Sequence, residues 1–201
     1  PPLAFATMLR SMVVQKNSME LIRHFSGISK KDVGIAGGKG ASLGEMTKAG
    51  IPVPPGFVVL ASAFDRFLQE TGIDEEIEAI LHRVKHTDIN SVDKGSNQIR
   101  DLILDAEFPK DLSKLILSEF AKLKSPYVAV RSSATAEDSS VASWAGELET
   151  YLNTTKPTLL EKVKECWASL FTPRAIFYRY EKKLHKTAVS VAVVVQAMVQ
   201  S

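Results

Sequence analysis

The amino-acid sequence predicts a mixed fold, α/β or α+β. Three observations point there. Short β-branched runs, "FVVLA" (57–61), "YVAV" (127–130) and "AVSVAVVVQAMV" (188–199), read as buried strands. Between them lie longer stretches whose apolar residues recur at helical period. Glycine and proline clusters punctuate the boundaries. Strands and helices mixed in this order build layers of helix against sheet.

The elements follow in three blocks. In the first, 20–71, "GASLGEM" places Ser42 and Glu45 at capping-box spacing, so a helix is expected to start there. Gly50 is its expected C-cap, with Pro52 following. "IPVPPG" (51–56) is extended, because a residue before proline is pushed out of the α region. The strand "FVVLA" comes next, then a helix over "SAFDRFLQETG" (62–72) with Ser62 as its cap.

The second block, 73–124, reads as helix throughout. Ile77, Ile80, Leu81 and Val84 share one face; so do Ile99, Leu102 and Ile103, and then Leu112, Leu115, Ile116 and Phe120. These stripes are expected to pack together. The third block opens with the strand at Tyr127, passes through "SSATAEDSS", and returns as a strand over "ELETYLN" (147–153). Two helices follow, the second with Thr172 as N-cap and Pro173 at its first position. The run 188–199 closes the chain as a buried strand.

Composition bounds the function. The chain has 201 residues, 45% hydrophobic and 24% charged, which fits a globular domain with a sizeable core. Net charge is +2, too small to attract nucleic acid or an acidic membrane surface. A single cysteine, Cys166, allows no internal disulfide and fits a reducing compartment. No apolar run reaches the roughly 20 residues of a membrane span. Residues 1–19 lack a basic start and a clean cleavage site, so they read as an N-terminal extension without assigned function rather than a signal peptide.

The stretch "GIAGGKGASLGEM" (34–46) holds five glycines and one lysine. It fails the Walker A pattern: the required first glycine is Val33, and Gly40 stands where the metal-binding hydroxyl belongs. The dinucleotide fingerprint fails too. The bare chemistry survives. Glycines let backbone N–H groups approach an anion. A helix N-terminus adds its dipole, and Lys39 adds a point charge. The competing reading is a flexible turn with a solvated lysine. A second signal is Arg131, placed where a buried strand hands over to a polar loop. In open α/β sheets such strand ends face the ligand crevice. A guanidinium there grips phosphate bidentately, each charge-assisted bond contributing about 1.5–3 kcal/mol. The competing reading is a surface arginine paired to Glu137 or Asp138.

Taken together, three stretches carry a resemblance. "GGKGASLGEM…GIPVPPGFVVLASAF", "AVRSSATAEDSSVASWAGELETYLN", and "RAIFYR" followed by "AVVVQAMVQS" resemble, in order and spacing, the pyruvate, phosphate dikinase and phosphoenolpyruvate synthase family. The second stretch looks more like phosphoenolpyruvate synthase. Rifampicin phosphotransferase is a near relative with similar motifs. The resemblance covers 20–201 and implies an ATP-grasp-like N-terminal subdomain with a helical insertion.

It also implies site residues. Lys39 would contact ATP phosphate, and Arg131 would contact the phosphates and be needed for transfer. Gly146, in "SWAGE", would cover the phosphates, and Gly37 and Gly38 would shape the first loop. Ser132 and Ser133 would add hydroxyl or backbone contacts. The implied reaction phosphorylates pyruvate with ATP, giving phosphoenolpyruvate, AMP and phosphate. It passes through a phosphohistidine on a swivelling carrier domain, and a separate barrel binds pyruvate. ATP and Mg²⁺ are the implied cofactors, with the Mg²⁺ ligands, the carrier histidine and the barrel expected beyond Ser201. No metal ligand is assigned within this chain. A cytoplasmic enzyme, with a homodimer in its full-length form, is the implied setting. The strand that ends the chain has no capping element, so a fragment is expected, one unable to catalyse the overall reaction and weak at binding ATP alone.

Other candidates rank lower. His82 and His86 stand i, i+4 on an expected helix but lack a third ligand. Ser132 and Ser133 have no hydrolase context. Cys166 lies on an apolar helix and reads as core. Trp144 could line the site or simply pack. Tyr178, Arg179 and Tyr180 form one weak aromatic and basic cluster. Three functions therefore stand: the nucleotide-binding part of a phosphoenolpyruvate synthase-like enzyme, the same part of a rifampicin phosphotransferase-like or pyruvate, phosphate dikinase enzyme, or a non-catalytic regulatory module that kept the fold.

Overall fold

A computed structural model describes residues 20–135, 149–181 and 190–199. Among the described residues, five strands form one sheet in the order β1-β2-β5-β3-β4. They are β1 (Ile22–His24), β2 (Gly56–Val59), β3 (Val128–Ala134), β4 (Thr150–Thr154) and β5 (Val191–Ala197). Every neighbouring pair is antiparallel. The fold thus lies on the α+β side of the expected class. The strand-end crevice of open parallel sheets, invoked for Arg131, does not apply.

The helices are α1 (Val33–Lys48), α2 (Ala61–Thr71), α3 (Asp74–Arg83), α4 (Ile89–Asp105), α5 (Lys110–Lys122), α6 (Leu159–Ala168) and α7 (Pro173–Glu181). β5 lies at the centre of the sheet, which explains its unbroken apolar run: it is buried on both faces. Its alternate residues serve two cores. Val191, Val193 and Val195 join the larger one, with Phe57, Val59, Val128, Val130 and the apolar faces of the helices from α2 onward. Ala192 and Val194 join a smaller one with Val58, Leu60, Phe25, Ile28, Ala36 and Leu43, beneath α1. The chain from β2 to β3 is helical, and its expected stripes bury Ile77, Ile80, Ile99, Ile103, Leu112, Ile116 and Phe120. Trp167 anchors the larger core, with ring centroids 4.9 Å from Phe67 and 5.3 Å from both Phe64 and Phe108. Cys166 is fully buried beside it, and burial pushes its thiol pKa up, so it is an inert core residue.

Several local expectations hold. Gly50, with φ 74°, ends α1 in a Schellman motif: its N–H donates to Thr47 O and Ile51 N–H donates to Met46 O. Thr172 Oγ1 accepts from Ala175 N at 3.2 Å, capping α7 ahead of Pro173. Others fail. Ser62 lies inside α2, whose cap position is Leu60, and its hydroxyl donates instead to Glu20 O. Ser42 and Glu45 lie in the interior of α1, not at its start. Glu45 accepts from Lys30 N across the preceding turn. α3 ends at Arg83 with Val84 extended, so His82 and His86 do not share a helix face. His86 stacks on Tyr180 at a centroid distance of 3.8 Å. Among the described residues, no helix is long and apolar enough to cross a membrane.

Candidate functional site

The glycine stretch is not a loop. It lies within α1, which is two helical pieces broken at Gly37, where φ is 69° and ψ is 172°. A Cβ on Gly37 would stand 2.2 Å from Ser133 Oγ and 2.4 Å from Ser133 O. Only glycine fits both that space and that φ. Other glycines of the stretch serve packing. A Cβ on Gly40 would press on Val58 Cγ2 at 3.2 Å, and one on Gly44 would meet Ile28 O at 2.4 Å. Four residues apart, they share a helix face, with Gly40 close on Val58 of β2 and Gly44 close on the backbone at Ile28.

The break exposes a new helix N-terminus at Gly38, aimed at β3. Ser133 Oγ accepts from Lys39 N at 3.1 Å and from Gly40 N at 3.4 Å. The Lys39 ammonium donates to Ser132 O at 2.9 Å. Lys39 and Gly38 are both half-buried. The lysine of the glycine stretch is thus held by a strand more than ninety residues away in sequence.

Arg131 sits within β3, not beyond its end, opposite Val194 of β5 and Thr150 of β4. Residues directly opposite in a ladder share a face, and alternate residues of one strand do too. Val194 belongs to the core under α1, so Arg131 and Ser133 both face the α1 side. They are about 7 Å apart along the strand. Among the described residues, Arg131 Nε is buried with no hydrogen-bond partner. A buried unpaired donor costs about 1–3 kcal/mol, which an incoming ligand oxygen would relieve.

Ser132 faces the other way. It is fully buried opposite Val193, and its hydroxyl and N–H both donate to Glu149 O at 3.1 Å. Its carbonyl, not its side chain, meets Lys39. Alternation along "RSSA" carries this information, since Ser133 shares the parity of Arg131. Gly146, Trp144, Glu137 and Asp138 lie outside the described residues. A groove elsewhere, lined by Glu70, Glu76, Asp101 and Asp105, contains none of the site residues.

The match to a family model decides the relationship. The pyruvate phosphate dikinase AMP/ATP-binding domain model matches residues 33–201, from the first residue of α1 onward. The chain belongs to this family. Lys39, Gly37 and Arg131 all fall inside the matched span. The chain is 45% identical over 190 residues to a probable phosphoenolpyruvate synthase of Methanothermobacter thermautotrophicus, covering 91% of the chain and 28% of that relative. Against the Archaeoglobus fulgidus protein of the same name it is 50% identical over 180 residues, 87% of the chain and 24% of the relative. Against the phosphoenolpyruvate synthase of Aeropyrum pernix it is 46% identical over 190 residues, 90% and 23%. The chain thus spans about a quarter of the length of these curated relatives. In this AMP/ATP-binding domain the candidate site is cationic. Among the described residues no cluster of His, Cys, Asp or Glu is placed to hold a metal ion.

Proposed function

We propose that this domain binds ATP through Lys39 and Arg131. We further propose that it serves an enzyme that phosphorylates pyruvate to phosphoenolpyruvate, converting ATP to AMP and phosphate. The observation that carries the reading is the meeting of Lys39, a broken-helix N-terminus and Arg131 on one face of the sheet. Phosphoryl transfer depends on positioning and on cations that meet developing charge. The helix end offers its dipole, and Lys39 offers an ammonium on a flexible stem. To reach a phosphate, that ammonium exchanges Ser132 O for a phosphate oxygen. The Arg131 fork takes oxygens bidentately. Gly37 and Gly38 bring backbone close to the anion, and Gly146 closes over it. Ser132 acts through its carbonyl, as the resting partner of Lys39.

ATP phosphorylates a histidine on a carrier domain outside this chain, and a pyruvate-binding barrel receives the group. Mg²⁺ accompanies the nucleotide on ligands outside this chain. A cytoplasmic, dimeric enzyme is the setting we propose. The relatives named phosphoenolpyruvate synthase favour pyruvate over a drug as acceptor. In the full-length protein, Lys39→Ala and Arg131→Ala are expected to abolish AMP formation from ATP. Unaltered AMP formation in both variants overturns the site. No ATP turnover in the unaltered full-length protein, with pyruvate or with rifampicin, overturns the enzyme reading in favour of a regulatory module.

A further inference from the structure

We propose that Ser133 is a positioning residue, whose hydroxyl is the N-cap, supplied from another strand, of the helical piece that carries Lys39. The inference rests on the phosphate-site reading above. A helix N-terminus leaves its first N–H groups without intrahelical partners. They are ordinarily met by the side chain of the cap residue, which accepts from the second and third helical positions. After the break at Gly37 those positions are Lys39 and Gly40. Gly37 has no side chain and can have none, because Ser133 fills the space. The missing oxygen comes instead from Ser133 Oγ, which accepts from both Lys39 N and Gly40 N.

A hydroxyl has two acceptor lone pairs. Both are used here, so Ser133 holds the helix end. Ser133 is fully buried, and its backbone abuts Gly37 too closely for a ligand atom to enter between them. Lys39 is therefore held at two points by successive residues of β3: its backbone by the Ser133 hydroxyl and its ammonium by the Ser132 carbonyl. With the backbone end fixed, the ammonium stays beside β3 when it exchanges Ser132 O for a phosphate oxygen. Arg131 lies on the same face two residues before Ser133, so one strand sets the spacing of both cations.

The test uses the full-length enzyme with Ser133→Ala, and Ser133→Cys, which keeps a comparable side chain with a weaker acceptor. Loss of a cap predicts a roughly 3- to 30-fold rise in KM for ATP, with kcat within about twofold. Amide hydrogen exchange in peptides covering 38–40 should quicken, while exchange in the central strand β5 stays unchanged. Should the alanine variant fail to fold, the cysteine variant gives the same readout. Unchanged KM in a folded variant overturns the proposal, as does unchanged exchange at 38–40. Faster exchange with unchanged KM reduces Ser133 to a structural role and also overturns it. Normal AMP formation by Lys39→Ala is a different failure: it removes the phosphate site itself, while the exchange result still reports whether Ser133 is the cap.

Discussion

The Lys39 ammonium donates to the Ser132 carbonyl at 2.9 Å, tying the helix after the Gly37 break to the strand that bears Arg131. This one bond places a cation where the sheet and a helix end converge. Its geometry suits a flexible stem with a compact head. Lys39→Arg therefore should not conserve function: the planar guanidinium is larger and presents its donors in a rigid fork. AMP formation from ATP by the full-length protein is expected to fall about 10- to 100-fold, measured by product release at saturating ATP. A full rate in Lys39→Arg would mean that only the charge matters at this position.

Gly37 is the most constrained glycine of the site. Gly37→Ala adds a Cβ 2.2 Å from Ser133 Oγ at a φ of 69°. At φ 69° and ψ 172° the backbone lies in a region only glycine enters freely, which costs another residue about 1–3 kcal/mol, and overpacking adds about 1–3. Gly72→Ala has a similar φ, 70°, but open space around its Cβ. It should lose only about 1 kcal/mol. Urea unfolding of the two variants checks the contrast, and equal losses would contradict the packing account.

Trp167 stacks among Phe64, Phe67 and Phe108 with no exposure to solvent. Truncation to alanine removes a large side chain from a closed aromatic cluster. Trp167→Ala is expected to cost about 3–5 kcal/mol in chemical denaturation, the range for large-to-small core changes. A loss under 1 kcal/mol would show that the cluster collapses around the gap.

Asp32 fixes the turn that feeds α1. The Ser29 hydroxyl donates to its carboxylate at 2.7 Å and holds its pKa below the ordinary 3.8; burial opposes this, and Ser29 N–H and Arg23 reinforce it. A depressed carboxylate stabilises the fold above its unfolded pKa and loses that contribution as pH falls through the folded value. Stability should therefore drop below about pH 4, and Asp32→Asn should flatten that part of the profile. Urea midpoints at stepped acid pH test it; an unchanged slope in Asp32→Asn assigns the acid loss to other carboxylates.

Much of this was legible because it is local. Period 3.6 marked the faces of α3, α4 and α5, and of the residues the stripes name the structure buries Ile77, Ile80, Ile99, Ile103, Leu112, Ile116 and Phe120. The αL glycine at Gly50 and the Thr172-Pro173 start of α7 depend only on neighbours in sequence. The motifs around Lys39 and Arg131 were visible as residue types. Their roles were less so. "RSSA" holds two serines, and only strand parity against β5 separates Ser133, which meets the helix end, from Ser132, which turns to the opposite core.

The sequence alone marked the helices from α2 to α7, the strands from β2 to β5, the apolar stripes of α3 to α5, and which two cations stand beside glycine or serine. Those follow from rotamer, propensity and periodicity within a few residues. Only the tertiary structure decided that the strands pair antiparallel, that the glycine stretch is a broken helix, and that Gly37 is where it breaks. A buried run reads the same whether its neighbour is parallel or antiparallel. Which glycine must take a positive φ depends on Ser133, and that contact exists only once β3 pairs with β5 and α1 lies down across them.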